Sequence, residues 1–198
     1  MPTNTLDEGF FYANQVRKGP VMKKVVIIGC GGSGKSTFAR KLGEILHLPV
    51  YHLDALYWKP GWVATPNEEW ERIQRELVQK DKWIIDGNYG RTLNIRLAEA
   101  DTILFFDLSR WITTYRIFKR RIMYHGRTRP DLNEGCPEQL DFQFIKWVWN
   151  FRRDKRPGLI EALTTYRAAK KIIVLRKPSE VNKLLEQMQR KEEIGSHF

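Results

Sequence analysis

The chain has 198 residues, 42% of them hydrophobic, and a formal net charge of +11. That length suits one domain with a sizeable core. There is no apolar run of membrane-spanning length and no charged-then-apolar leader pattern. Two cysteines, Cys30 and Cys136, make neither a disulfide framework nor a metal set. The expectation is a cytosolic protein with no membrane partner.

Residues 1–21 lack any helical or strand period, and Gly19-Pro20 separates them from the first strand. They read as an extension outside the fold, with Met22 as the natural beginning. Lys24 to Ile28 reads as that strand, buried. Gly29-Cys30-Gly31-Gly32-Ser33-Gly34-Lys35-Ser36-Thr37 then fits G-x-x-x-x-G-K-[ST], and Phe38 to Leu46 continues as a helix. A strand, this loop and a helix in that order make a phosphate-binding P-loop rather than a chance Gly-rich turn. The glycines let the backbone fold into a nest of N–H groups facing one anion at the positive end of the helix. Lys35 is expected on the β- and γ-phosphates, and the Ser36 hydroxyl on Mg²⁺. ATP and Mg²⁺ are therefore the expected ligands, held by Gly29, Gly31, Gly32, Ser33, Gly34, Lys35, Ser36 and Thr37.

Pro49 to Leu53 is a short second strand ending at Asp54. The loop to Ala64 carries Tyr57, Trp58 and Trp62, which either stack on a flat acceptor or pack as core. Thr65-Pro66-Asn67-Glu68 reads as a capping box for a helix to about Lys80 that buries Trp70, Ile73 and Leu77. Lys82 to Asp86 is a third strand, Thr92 to Ala100 a short helix, and Thr102 to Phe106 a fourth strand ending at Asp107. Ser109 caps a helix to about His125 whose apolar stripe is Trp111, Tyr115, Phe118 and Ile122. A polar loop, Gly126 to Pro137, leads to an aromatic helix, Glu138 to Phe151. Pro157 to Ala169 is a further helix, Lys171 to Leu175 the fifth strand, and Pro178 to Arg190 the closing helix. Strands alternating with helices imply an α/β fold, a five-stranded parallel sheet covered on both faces.

A P-loop protein needs a carboxylate for Mg²⁺ or its waters at the end of a neighbouring strand. Asp86 and Asp107 both fit. Asp86 is favoured, because Gly87 admits a phosphate and Asn88, Tyr89 and Arg91 follow at once; Asp107 suits a turn or cap. Asp54 lies beyond a strand's carboxyl end, where open α/β sheets bind ligands, and with His52 it would orient an acceptor or serve as its general base. Residues 110–198 hold 20 Lys and Arg against 10 Asp and Glu; residues 1–109 hold 14 against 13. The basic half suits a nucleotide polyphosphate, a nucleic acid or a solvated face.

This order of pieces resembles the adenylate-kinase-like P-loop kinases of small molecules and nucleotides. Ile85-Asp86-Gly87-Asn88-Tyr89-Gly90-Arg91-Thr92 is similar to that group's D-G-F-P-R-T segment, and Tyr115 to Arg121 to its arginine helix. The resemblance implies a P-loop nucleoside triphosphate hydrolase fold over residues 22–190, with a helical lid insert at about 126–156 and a tail at 191–198. It places Arg116 on adenine, Arg120 and Arg153 on the phosphates, Asp86 on the magnesium waters and Arg91 on the acceptor phosphate. A second likeness covers nearly all of residues 22–190. His52 to Trp62, Asp86 to Tyr89, Gly126 to Asp131, Glu134 to Glu138 and Trp147 to Phe151 look like the bacterial DNA topology modulation protein family. The expected activity is transfer of the ATP γ-phosphoryl group to a small acceptor, in the nucleoside or nucleotide class. The alternatives are a DNA-binding regulator switched by ATP, and a plain ATPase.

Overall fold

Alternate residues of a strand face opposite ways, and the central strands here carry apolar residues on both faces, so they need cover on both sides. A computed structural model describes residues 22–195. The expectations for residues 1–21 and for the last three residues lie outside it. In chain order the sheet strands are β1 (Lys24–Gly29), β2 (Val50–His52), β5 (Trp83–Asp86), β6 (Thr102–Phe106) and β7 (Lys171–Leu175). They pair in the order β2-β5-β1-β6-β7, all parallel. The two remaining strands, β3 (Trp58–Lys59) and β4 (Val63–Ala64), form a separate antiparallel hairpin.

The two faces bury different residues of the same strands. Val25, Ile27, Leu104, Phe106 and Leu175 pack under α1 (Lys35–Leu46) and α8 (Pro178–Gly195) with Phe38, Leu42 and Leu184. Val26, Ile28, Ile85, Phe105 and Val174 pack against Trp70, Leu97, Val148 and Leu163. Those four come from α3 (Asn67–Val78), α4 (Leu93–Glu99), α6 (Phe142–Asp154) and α7 (Arg156–Tyr166). The architecture is the expected five-stranded parallel α/β sheet with helices on both faces. No helix among the described residues is long and apolar enough to cross a membrane.

Three expectations are corrected. First, Thr65 does not cap α3. Its hydroxyl donates to the carbonyls of Leu56 and Tyr57, and Pro66 stands at the cap position without a side-chain bond. The hydroxyl instead ties the helix to α2 (Leu53–Tyr57), a turn that occupies part of the expected loop. Second, the apolar stripe of α5 (Arg110–Met123) faces outward: Trp111 is 70% exposed and Ile122 79%, while Thr113 and Ile117 are buried. The reason is the neighbour. A Cβ on Gly32 would lie 2.5 Å from the Thr113 carbonyl oxygen, so this helix meets the P-loop backbone-to-backbone and only a narrow face fits. Third, α8 runs to Gly195, so the expected tail is helical up to there. The Ser109 cap is as expected, its hydroxyl accepting from the Ile112 amide.

Candidate active site

The parallel sheet brings the carboxyl ends of β1, β2 and β5 side by side. His52, Asp86 and Ile27 are register neighbours on three adjacent strands. The P-loop leaves β1 at Gly29, whose φ of 144° and close approach to the Phe106 carbonyl oxygen (2.5 Å from a would-be Cβ) admit only glycine. Helix α1 begins after Gly34 with no side-chain cap and no acidic residue in its first turn. Its first amides are thus left for an anion. They line a cavity of about 720 Å³ together with the Lys35, Ser36 and Thr37 side chains. The Lys35 ammonium donates to the Cys30 carbonyl at 3.0 Å.

Asp86 is buried, 4% exposed. Its Oδ2 lies 3.0 Å from His52 Nδ1, and its Oδ1 has no partner. A buried carboxylate oxygen without a donor marks a place for a ligand. Asn88 then clamps the P-loop: its side chain accepts from the Gly29 amide (2.9 Å) and donates to the Gly29 carbonyl (2.6 Å). Arg96, wholly buried, holds this segment from below by donating to the carbonyls of Asn88 (2.6 Å) and Gly87 (3.4 Å), to Thr92 and to Gln74. Burial pushes its guanidinium down to about 9. The chain leaves the clamp through Tyr89, at φ 29°, a strained non-glycine conformation. Its hydroxyl donates to Asp54 Oδ1 at 2.9 Å. Burial raises the Asp54 carboxyl above its ordinary range. Asp86 nearby raises it further, while Arg129, Lys35 and the Tyr89 hydrogen bond oppose the rise.

A second wall, packed directly on the P-loop, comes from α5 and the segment after it. Arg116 donates to the Ser33 carbonyl at 3.1 Å, beside Gly34. Glu138, buried, joins Arg120 Nε and Arg129 Nε at 2.7 Å each, and Arg129 also reaches Asp131 at 3.0 Å. Burial, then the charge of Arg129, lowers the Arg120 guanidinium, and Glu138 opposes this. The same segment is sewn to the β3–β4 hairpin. Asn133 donates to the carbonyls of Ala55 and Trp58, the Cys136 thiol to that of Lys59, Trp62 Nε1 to that of Pro137, and the Gly61 amide to that of Gly135.

The structure thus brings together the P-loop residues, Asp54, Asp86, Arg116 and Arg120. Four expected site residues do not line the cavity: Gly29 and Ser33, which shape the P-loop from within, and Arg91 and Arg153. Arg91 is exposed. Arg153 is 73% exposed and pairs with Asp154 at 2.6 Å. Asp107 serves the packing of helices instead. Buried, it receives Arg156 at 2.9 Å and Arg152 at 3.4 Å, fastening α6 and α7 to the end of β6. Four arginines of the basic half, Arg120, Arg129, Arg152 and Arg156, are therefore engaged with buried carboxylates. Tyr57 packs on Trp70 and Tyr89, whereas Trp58 and Trp62 form an edge-to-face pair on the cavity wall. Sequence reading missed Arg96, Asn88 as a clamp, and Glu138. Glu138, expected as the first residue of the aromatic helix, lies before α6, which begins at Phe142, and neither it nor the helical Arg96 carries a local signal that it will be buried.

No family model matches this chain, and no curated protein matches it. Among solved structures, shikimate kinase from Acinetobacter baumannii in complex with shikimate superposes with a TM-score of 0.50 and 12% identity, over 85% of this chain and 92% of that one. A putative kinase from Chloroflexus aurantiacus does so with a TM-score of 0.50 and 14% identity, over 86% and 98%. A gluconokinase from Sinorhizobium meliloti gives a TM-score of 0.49 at 16% identity, over 90% and 98%. The first two share the fold of this chain, a parallel α/β sheet with helices on both faces. The likeness to the DNA topology modulation proteins rests on the sequence motifs alone.

Proposed function

We propose that the protein is an ATP-dependent, Mg²⁺-requiring phosphotransferase that moves the γ-phosphoryl group to a hydroxyl of a small molecule. The observation that carries this reading is one cavity joining the P-loop amides and Lys35 to two strand-end carboxylates, Asp54 and Asp86. The P-loop amides and Lys35 hold the β- and γ-phosphates, and Lys35 exchanges the Cys30 carbonyl for a phosphate oxygen. Asp86, with a buried unpartnered oxygen, and the Ser36 hydroxyl suit Mg²⁺, which takes few protein ligands and completes its shell with phosphate and water. When bound, that ion neutralises charge on the β- and γ-oxygens. Arg116 lies along the donor side, where it supports the nucleotide. Arg120 is the arginine poised to meet the transferring group; Arg91 and Arg153 enter only if the chain moves.

Asp54 takes the acceptor proton. Its raised affinity for a proton suits a base, and Tyr89 fixes the carboxylate's orientation. The acceptor oxygen bonds to the γ-phosphorus, the bond from that phosphorus to the β,γ-bridging oxygen breaks, and ADP leaves with the bridging oxygen. Asp54 later returns the proton to water. Most of the rate then comes from positioning and charge neutralisation. Isothermal titration with ATP in the presence of Mg²⁺ tests the donor site, and ADP release with and without candidate acceptors tests transfer. Saturable ATP binding with acceptor-stimulated ADP release is expected; failure to bind ATP overturns the reading, and acceptor-independent hydrolysis alone makes the protein an ATPase.

A further inference from the structure

The cavity is electrically divided. On the side of the P-loop and α5 it is lined by five cations: Lys35, Arg40, Arg116, Lys119 and Arg120. Away from the P-loop it is lined by the carboxylates of Asp54 and Asp131, and Glu138 and Asp141 also stand in its lining; Asp86, at the β5 end beside the P-loop, belongs to the proposed Mg²⁺ position. A polyphosphate belongs on the first side. The second side offers one guanidinium, Arg129, and this is already taken by Asp131 at 3.0 Å and Glu138 at 2.7 Å. The arginine that the kinase resemblance assigns to an acceptor phosphate, Arg91, points to solvent and does not line the cavity. The apolar lining includes two indoles, Trp58 and Trp62, with ring centroids 5.5 Å apart.

We infer that the acceptor is an uncharged or cationic hydroxyl compound with an apolar or planar face, and that phosphate and carboxylate compounds are excluded. The inference rests on the phosphotransferase reading and adds the acceptor's class to it. An anionic acceptor brings like charge against Asp54, and against Asp131 and Glu138, which already hold Arg129, so the guanidinium on that side is not free to offset it. An uncharged polyol or nucleoside meets carboxylates as hydrogen-bond acceptors for its hydroxyls and indoles for its flat side. Like-charge rejection and stacking act on the same ligand, so the discrimination is set by this wall and leaves the ATP side untouched.

The test uses the full chain and three pairs that differ in charge: adenosine against AMP, glucose against gluconate, and glucosamine against glucuronate. Two quantities are read: ADP release under Mg·ATP, and tryptophan fluorescence of ADP-loaded protein titrated with each compound. The uncharged or cationic member of at least one pair is expected to be preferred about tenfold or more in kcat/KM and to quench the fluorescence. Trp58→Ala is expected to weaken that quench while ATP affinity holds. Asp131→Asn, which leaves Arg129 with one carboxylate fewer, is expected to narrow the preference by improving the anionic member. Equal or better turnover of AMP, gluconate or glucuronate overturns the inference and keeps the phosphotransferase. ATP binding with no response to any uncharged or cationic member also overturns it. Loss of ATP binding itself in the parent protein removes the phosphotransferase reading, and this inference with it.

Discussion

The two sides of the cavity are built in different ways. The core of the P-loop side is consecutive: nine positions of backbone from Gly29 to Thr37, a helix start and Lys35, flanked by the cations of α5. The side proposed for the acceptor is made of pieces far apart in the chain. Asn133 reaches back 78 residues to Ala55, Cys136 reaches 77 to Lys59, and Asp54 is held by Tyr89 across 35. Backbone amides recognise an anion whatever carries it, so the first construction serves any nucleotide. Side chains from several elements set shape and charge, so the second construction is where selectivity resides. Substitutions on the two sides should therefore separate donor binding from acceptor use.

Lys35→Ala gives the largest effect. Removing the ammonium from the β- and γ-phosphates should lower turnover by about 10³-fold or more, with weakened ATP binding and an unchanged circular-dichroism spectrum. Titration of the variant with ATP checks it. Affinity and turnover equal to those of the parent protein would end the P-loop reading.

Asp54→Asn should act on the other side alone, lowering transfer to a hydroxyl acceptor by about 10²–10³-fold while ATP binding persists. It should also change stability in a pH-dependent way. The folded protein favours protonated Asp54, because burial raises its carboxyl above the ordinary 3.8. Stability from that preference is present below the ordinary range and is lost as pH rises through the raised value. The Asn variant should thus melt higher than the parent at pH 7, with the gap closing towards pH 4. A lower melting temperature at pH 7 would show that the ionised carboxylate is better supported than its burial suggests.

Arg96→Leu cuts the joint between the two sides. It strands the carbonyls of Gly87 and Asn88, and should cost about 2–4 kcal/mol. For a domain of this size that is a fall of ~5–15 °C in melting temperature. Because Asn88 clamps Gly29, ATP affinity should fall too. A thermal melt and an ATP titration on the same preparation decide it; an unchanged melt would mean that Gln74 and water replace the guanidinium.

Arg153→Ala should do least. As an exposed partner of Asp154 it is worth little to stability, and kcat should stay within about twofold. A fall of ~10³-fold would instead bring Arg153 onto the transferring phosphoryl group, through closure of the segment from 126 to 156 over the nucleotide.

The alternation of strands and helices, the P-loop motif and the position of Asp86 at a strand end were legible in the sequence because each is a local pattern. A run of five apolar residues, a fixed glycine spacing, or an aspartate straight after a strand needs no knowledge of distant neighbours. The face that α5 buries was not legible. Trp111, Tyr115, Phe118 and Ile122 satisfy the helical period as well as Thr113 and Ile117 do, and the contact with Gly32 decides between them. Thr65 likewise met every local requirement of a cap, and a closer carbonyl claimed its hydroxyl. Arg96, Glu138 and the pairing of Arg129 belong to the tertiary structure alone. A charged side chain can be buried only where its partners converge, and those partners arrive from other elements, at distances along the chain that no local spacing encodes.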